Sequence, residues 1–198
     1  MKSAIFFHKR KAYLGESEIH LLGKKPRIGE RLEADFEIKP ARNSKESLTK
    51  KILSKGLTIV STLPNIHTNA CHYQVLDLEN LTKKLIPEAK IFHISSDAES
   101  HWKEVDEIHP DLKAYGFSLY ESELKDREYF ASAFGVGVEG NARIAHGLFG
   151  LYEGVFCAAY IPMQQMGNPD IHYFLTQFLK NLKVTKASKR KVGNKNGI

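Results

Sequence analysis

Cysteine is scarce in this sequence. Two residues, Cys71 and Cys157, stand among 198, too few for a disulfide framework and in keeping with a reducing, cytoplasmic setting. No apolar run reaches the roughly 20 residues that a membrane-spanning helix requires. The opening "MKSAIFFHKRKAYLG" has a short apolar core, but basic "HKRK" stands where a secretory leader would carry its small-residue cleavage site. It therefore reads as the start of the fold. No internal repeat recurs. The glycines form no nucleotide fingerprint: "GVGVEG" lacks a strand-to-helix context and has no P-loop lysine and hydroxyl beside it.

Acid is also missing from the end of the chain. The final "KNLKVTKASKRKVGNKNGI" carries Lys180, Lys183, Lys186, Lys189, Arg190, Lys191 and Lys195 and no carboxylate, while the formal net charge of the whole chain is +6. The body is thus close to neutral, and the high pI says little about its chemistry. Residues 183–198 read as a basic, flexible tail on a single domain spanning 1–182. The tail reads as solvated, and nucleic acid is not expected as a partner.

What is present is the pattern of an α/β domain. Short strands flank a charged turn at Gly15, and "ADFEI" opens another strand. "LTIVSTLP" is a continuous apolar run ended by Pro64, the pattern of a buried strand. From Ala70 to Ile86 apolar residues recur every three or four positions, and Pro87 stops the helix. "AKIFHISSD" is a second buried strand, with Ser96 or Asp97 placed to cap the helix "AESHWKEVDEIHP", whose Trp102, Val105 and Ile108 face inward. "GFSLYES" is a short strand and "LKDREYFASAFGV" a helix ending at Gly135. "ARIAHGLFGLYEGVFCAAYIP" reads as one β-hairpin. In it Cys157 would face His146 and Arg143 would face Tyr160. "NPDIHYFLTQFLKNL" is a last helix with Pro169 in its first turn and a stripe of Ile171, Phe174, Leu175, Phe178 and Leu182. The order predicts a mixed sheet flanked by helices.

The chemistry-bearing stretch is "PNIHTNACHYQ", residues 64–74. Cys71 falls where a buried strand gives way to a helix. The first N–H groups of a helix lack internal partners and the dipole favours an anion there. A thiol at that position is expected to ionise readily, and the thiolate is the nucleophile. Thr68 precedes it by one turn. Zinc is not expected: Cys71, His67 and His72 lack a fourth ligand at a usual spacing, and no C-x-x-C or H-x-x-x-H stands elsewhere. His67 and His72 would assist a thiolate if charged, but read more simply as surface histidines beside a loop.

Pro64, Thr68 and Cys71 form P-x-x-x-T-x-x-C, which resembles the active-site pattern of the peroxiredoxins. Gln74, three residues past the cysteine, is similar to the thiol peroxidase branch of that superfamily. "IHLLGKKPRIGERLEADFEI" looks like that branch's N-terminal hairpin and lead-in to the core. "REYFASAFGV" is similar to one of its helix ends, and "NARIAHGLF" occupies the place of its arginine-bearing strand. The likeness runs from about residue 18 to 182 in matching order.

The resemblance implies a thioredoxin-like mixed sheet with an N-terminal β-hairpin extension. It implies a cytoplasmic thiol-dependent peroxidase without cofactor or metal, acting on hydrogen peroxide or organic hydroperoxides. Cys71 would be the nucleophile that becomes a sulfenic acid. Arg143 would stabilise thiolate and peroxide, Thr68 would orient the peroxide and Pro64 would shield the pocket. The family's dimers imply a homodimer. The helix in which thiol peroxidases usually carry a resolving cysteine has none here. A one-cysteine cycle is implied, with thioredoxin, glutaredoxin or a low-molecular-weight thiol as external reductant. Cys157 is the one internal candidate and reads as a buried strand cysteine. "HT" stands where the family usually has "DT". Two alternatives share the fold: a redox sensor that forms the same sulfenic acid but signals through a partner, and an inactive binding module.

Overall fold

The computed structural model describes residues 8–111 and 113–193, with side chains up to 187. The "AIFF" of the expected first strand and the end of the basic tail lie outside the described residues.

The chain begins with a tight hairpin. Strands β1 (Lys9–Leu14) and β2 (Ser17–Leu22) pair antiparallel from Lys9–Leu22 to Leu14–Ser17. The turn is made by Gly15 at φ 65, a left-handed conformation that costs glycine nothing. This hairpin joins β8 (Gly137–Val138) and β9 (Asn141–Ile144) in a small sheet of order β1-β2-β8-β9.

The main sheet has seven strands. They are β3 (Glu37–Arg42), β4 (Leu48–Thr49), β5 (Leu57–Leu63), β6 (Lys90–Ser95), β7 (Tyr115–Ser118), β10 (Gly147–Tyr152) and β11 (Val155–Tyr160), in the order β11-β10-β5-β6-β7-β3-β4. β5, β6 and β7 run parallel, and the outer strands pair antiparallel. All seven residues of β5 are buried, as a central strand covered on both faces requires. This is the thioredoxin-like α/β fold expected from the sequence, with the N-terminal hairpin added.

Among the described residues five helices complete it: α1 (Lys50–Leu53), α2 (Asn69–Leu85), α3 (Glu99–Ile108), α4 (Leu124–Phe134) and α5 (Ile171–Gly193). On one face an aromatic cluster of Phe36, Phe130, Phe134, Phe149 and Phe156 packs α4 against the sheet. On the other, the α5 stripe of Ile171, Phe174, Leu175, Phe178 and Leu182 is buried with Ile59 and Leu78. Each such side chain contributes about 1.5–3 kcal/mol by leaving water. A third, smaller cluster of Leu63, Ile66, Cys71, Val75, Trp102 and Val105 fills the space where β5 ends and α2 and α3 begin.

Several local expectations need correction. The expected single hairpin over 142–162 is divided: β10 and β11 form it in the main sheet, while Arg143 lies on β9 in the small sheet. Arg143 therefore does not face Tyr160, whose partner is Leu148, and His146 precedes the ladder rather than facing Cys157. Cys157 sits at a register irregularity between Gly150 and Leu151. Ile108 is exposed, because it closes the last turn of α3 beyond Val105, the last residue that helix buries. Neither Ser96 nor Asp97 caps α3, whose N-cap is Ala98 with no side-chain bond. Pro169 precedes α5, and Asp170 Oδ1 takes the orphan N–H of Tyr173 at 2.8 Å. α5 runs on to Gly193 rather than ending near 182.

Candidate active site

The site lies at the carboxyl ends of the parallel strands. β5 ends at Leu63, and the next residues turn sharply: Asn65 O accepts from the N–H of Thr68 at 3.0 Å and from its hydroxyl at 2.9 Å. Thr68 is the N-cap of α2, in extended conformation at φ −87, ψ 145. Its Oγ1 accepts from the N–H of Cys71 at 3.4 Å. Cys71 thus stands in the first turn of α2, as its position after a buried strand implies, and it is fully buried.

The guanidinium of Arg143 arrives from β9. Its Nη1 donates to the carbonyl of Pro64 at 2.5 Å and to Asp97 Oδ1 at 2.8 Å. The arginine side chain is 44% exposed and the aspartate 3%. Asp97 follows β6 and is tightly held. Its Oδ2 accepts from the N–H of Ile66 at 2.7 Å, its N–H donates to Ser95 Oγ at 3.2 Å, and its carbonyl accepts from Ser118 Oγ at 2.6 Å. One carboxylate therefore ties the Cys71 turn, through Ile66, to Arg143. Ser96 Oγ anchors β9 beside it by accepting from the N–H of Ile144 at 2.9 Å.

All four sequence-predicted residues are connected here. Pro64 and Arg143 share a hydrogen bond, as do Thr68 and Cys71. Among the described residues, however, no hydrogen bond joins the guanidinium to the sulfur. Burial pushes the Cys71 thiol up to about 11. Hydrogen bonds from the Thr68 side chain and the Asn65 backbone oppose this. The charge of Asp97 adds to it, and that of Arg143, which pulls down, has the smallest effect of the five. The expectation of a standing thiolate is therefore corrected: this arrangement holds a neutral thiol at pH 7. The cause is twofold. The sulfur is out of water, and the nearby cation is already paired. The Thr68 hydroxyl has one proton, which here goes to Asn65 O; it favours the thiolate only when turned to the sulfur.

The histidines near the turn have partners of their own. His67 pairs with Glu104 at 2.9 Å and its ring lies 4.0 Å from that of His101. His72 is half-buried; burial, then the nearby His109, hold it below its ordinary range. Among the described residues no group of three or more His, Cys, Asp or Glu side chains is arranged to hold a metal.

Residues beyond the predicted four also shape the site. Gln74, one turn along α2 from Cys71, is fully buried: its Nε2 donates to Ser61 Oγ at 2.8 Å, and its Oε1 meets His146 Nδ1 at 2.7 Å. The sequence offered one signal for Asp97, its place at the carboxyl end of a parallel strand, where ligand-binding residues of α/β sheets gather. Cys157 is remote. It lies level with Thr58 and Ile59 of β5, whereas Cys71 follows Leu63, a separation of roughly 15 Å along the strands. A disulfide needs Cα atoms within about 7 Å. Neither of two sizeable clefts, of about 610 Å³ beside the second half of α2 and about 1120 Å³ between α1 and α4, is lined by Cys71.

This architecture defines a class. The chain's thioredoxin-like architecture matches that of peroxiredoxin structures in fold. A peroxiredoxin-like protein from Aquifex aeolicus superposes with a TM-score of 0.70, covering 88% of this chain and 99% of its own at 15% identity. A thiol peroxidase from Chromobacterium violaceum gives 0.71, covering 87% and 97% at 15% identity. AhpC of Enterococcus faecalis gives 0.66, covering 81% and 95% at 15% identity. No protein-family model matches the sequence, and no curated protein matches it in sequence. The fold of this chain is the peroxiredoxin fold.

Proposed function

We propose that this chain is a thiol-dependent peroxidase that reduces hydrogen peroxide or an organic hydroperoxide at Cys71. The observation that carries the reading is the convergence of two segments on a peroxiredoxin fold: the start of α2 brings Thr68 and Cys71, and β9 brings the Arg143 guanidinium to Pro64 beside them.

In the reaction the thiol gives up its proton and the sulfur attacks one peroxide oxygen. The O–O bond breaks, and the departing oxygen takes a proton to leave as water or alcohol. Cys71 is left as a sulfenic acid. An external thiol then condenses with it, releasing water, and a second thiol splits the mixed disulfide to regenerate Cys71. Thioredoxin, glutaredoxin or a low-molecular-weight thiol fills that role. Cys157 takes no part, so the cycle uses one cysteine. The N–H of Cys71 and the guanidinium of Arg143 stabilise the charge that grows on oxygen. Thr68 orients the peroxide and Pro64 walls the pocket. A homodimer working in the cytoplasm belongs to the same reading.

A second reading has its own support. A fully buried thiol pushed up to about 11 reacts slowly, which suits a redox sensor oxidised once and read by a partner. Peroxide consumption by wild type and by Cys71→Ser, with dithiothreitol, thioredoxin and glutathione systems in turn, separates the two. Steady turnover lost in Cys71→Ser supports the peroxidase. A single sulfenic acid equivalent without turnover supports the sensor. No oxidation of Cys71 at all overturns both and leaves a binding module.

A further inference from the structure

The network around Asp97 is more elaborate than a structural carboxylate needs. It is buried at the mouth of the reactive-cysteine turn, both of its oxygens are engaged, and its main chain is fixed by Ser95 and Ser118. Its partner Arg143 is the more exposed member of the pair, 44% against 3%. The aspartate is the fixed post and the arginine the movable arm. While the arm is on the post, its charge is spent on a carboxylate instead of on sulfur or peroxide.

We propose that Asp97 is a positioning residue: its carboxylate latches Arg143 and withholds the guanidinium from Cys71, so that the site rests in a low-reactivity form and is armed when the pair opens. The inference rests on the reading of Cys71 as a reactive thiol. The charged groups acting on the sulfur are Asp97 from the end of β6 and Arg143 from β9, of which the arginine has the smaller effect. A guanidinium held at 2.8 Å by a buried carboxylate presents little net field to its other neighbours. An oxygen-bearing ligand at the site competes for the same guanidinium donors and opens the pair.

The test is the pH dependence of Cys71 alkylation by iodoacetamide, followed by mass spectrometry of the Cys71 peptide. It reports the thiolate fraction without any peroxide. Asp97→Asn keeps an acceptor for the Ile66 N–H but removes the charge. The alkylation midpoint is expected to fall by about one pH unit, with a roughly tenfold faster rate at pH 7. Loosening of the turn alone would instead raise the rate at every pH and leave the midpoint in place, and that result would overturn the latch. Arg143→Gln in otherwise native protein is expected to change the pH 7 rate less than about threefold, because the charge it removes is already spent. In the Asp97→Asn background the same change should slow it about tenfold. Equal effects in the two backgrounds would sink the proposal. Arg143 is exposed enough for its single variant to decide the matter if Asp97→Asn does not fold: a large slowing there means the arginine was never latched. The two readings also fail separately. A shifted midpoint with no peroxide consumed leaves the latch and removes the peroxidase, whereas consumption with an unmoved midpoint does the reverse.

Discussion

His146 Nδ1 and Gln74 Oε1 meet 2.7 Å apart in the interior, one helical turn along α2 from Cys71. Because Gln74 Nε2 is committed to Ser61 Oγ and Thr62 O, its oxygen faces the imidazole, and His146 must donate from Nδ1. The ring is neutral, and burial holds its pKa down at about 4.

That depression makes folding pH-dependent in one direction. A histidine held below its ordinary 6.5 takes up its proton more readily when unfolded. Its contribution is complete above pH 6.5 and is lost as pH falls toward 4. Urea melts should show this site costing about 3 kcal/mol across that window. His146→Gln should flatten the dependence by a similar amount while still donating to Gln74.

Cys71 works at the other end of the scale. Its thiol is pushed up to about 11, so the native state holds its proton longer than the unfolded chain. Stability should be level below pH 9 and fall between 9 and 11 by about 2–3 kcal/mol relative to Cys71→Ala. The alkylation midpoint of the native thiol should lie in the same interval. A midpoint below 8 would show that the sulfur is not held as this geometry holds it.

Cys157→Ala should keep the peroxide-dependent oxidation of Cys71 and its turnover with added thiol. Non-reducing gels of oxidised wild type should show no internal disulfide. Cys157 Sγ lies against Val155 O and Thr185 Oγ1, under α5, on the far side of a distance no disulfide spans.

Gly150 is fixed by its neighbour rather than by its backbone. A Cβ there would lie 2.4 Å from Phe178 Cδ2 and 2.5 Å from Cε2. Gly150→Ala should displace α5 from the sheet at a cost of about 1–3 kcal/mol, read as a lower denaturation midpoint with α2 and the Cys71 turn less affected.

The elements carried by apolar period were legible in the sequence: β5 and β6 as unbroken buried runs, α2 stopped by Pro87, and the α5 stripe. So was the group of Pro64, Thr68, Cys71 and Arg143, through its likeness to a known pattern. What could not be read was which sheet "NARI" joins, because strand pattern carries no information about partners. The role of Asp97 was hidden for a related reason. Its contacts to Ile66 and Arg143 are distant in sequence, so "SSD" before a helix offered only a cap. The state of the Cys71 proton depends on burial by Trp102, Val105 and Ile66, which no local motif specifies.

Arg143 rides on β9, a four-residue border strand whose one strand neighbour in the small sheet is β8. Successive side chains of a strand point to opposite sides. Inserting or deleting a single residue between Asn141 and Arg143 would turn the guanidinium away from Asp97 and Pro64 while leaving the large sheet in place. A short border strand thus carries the narrowest tolerance for length.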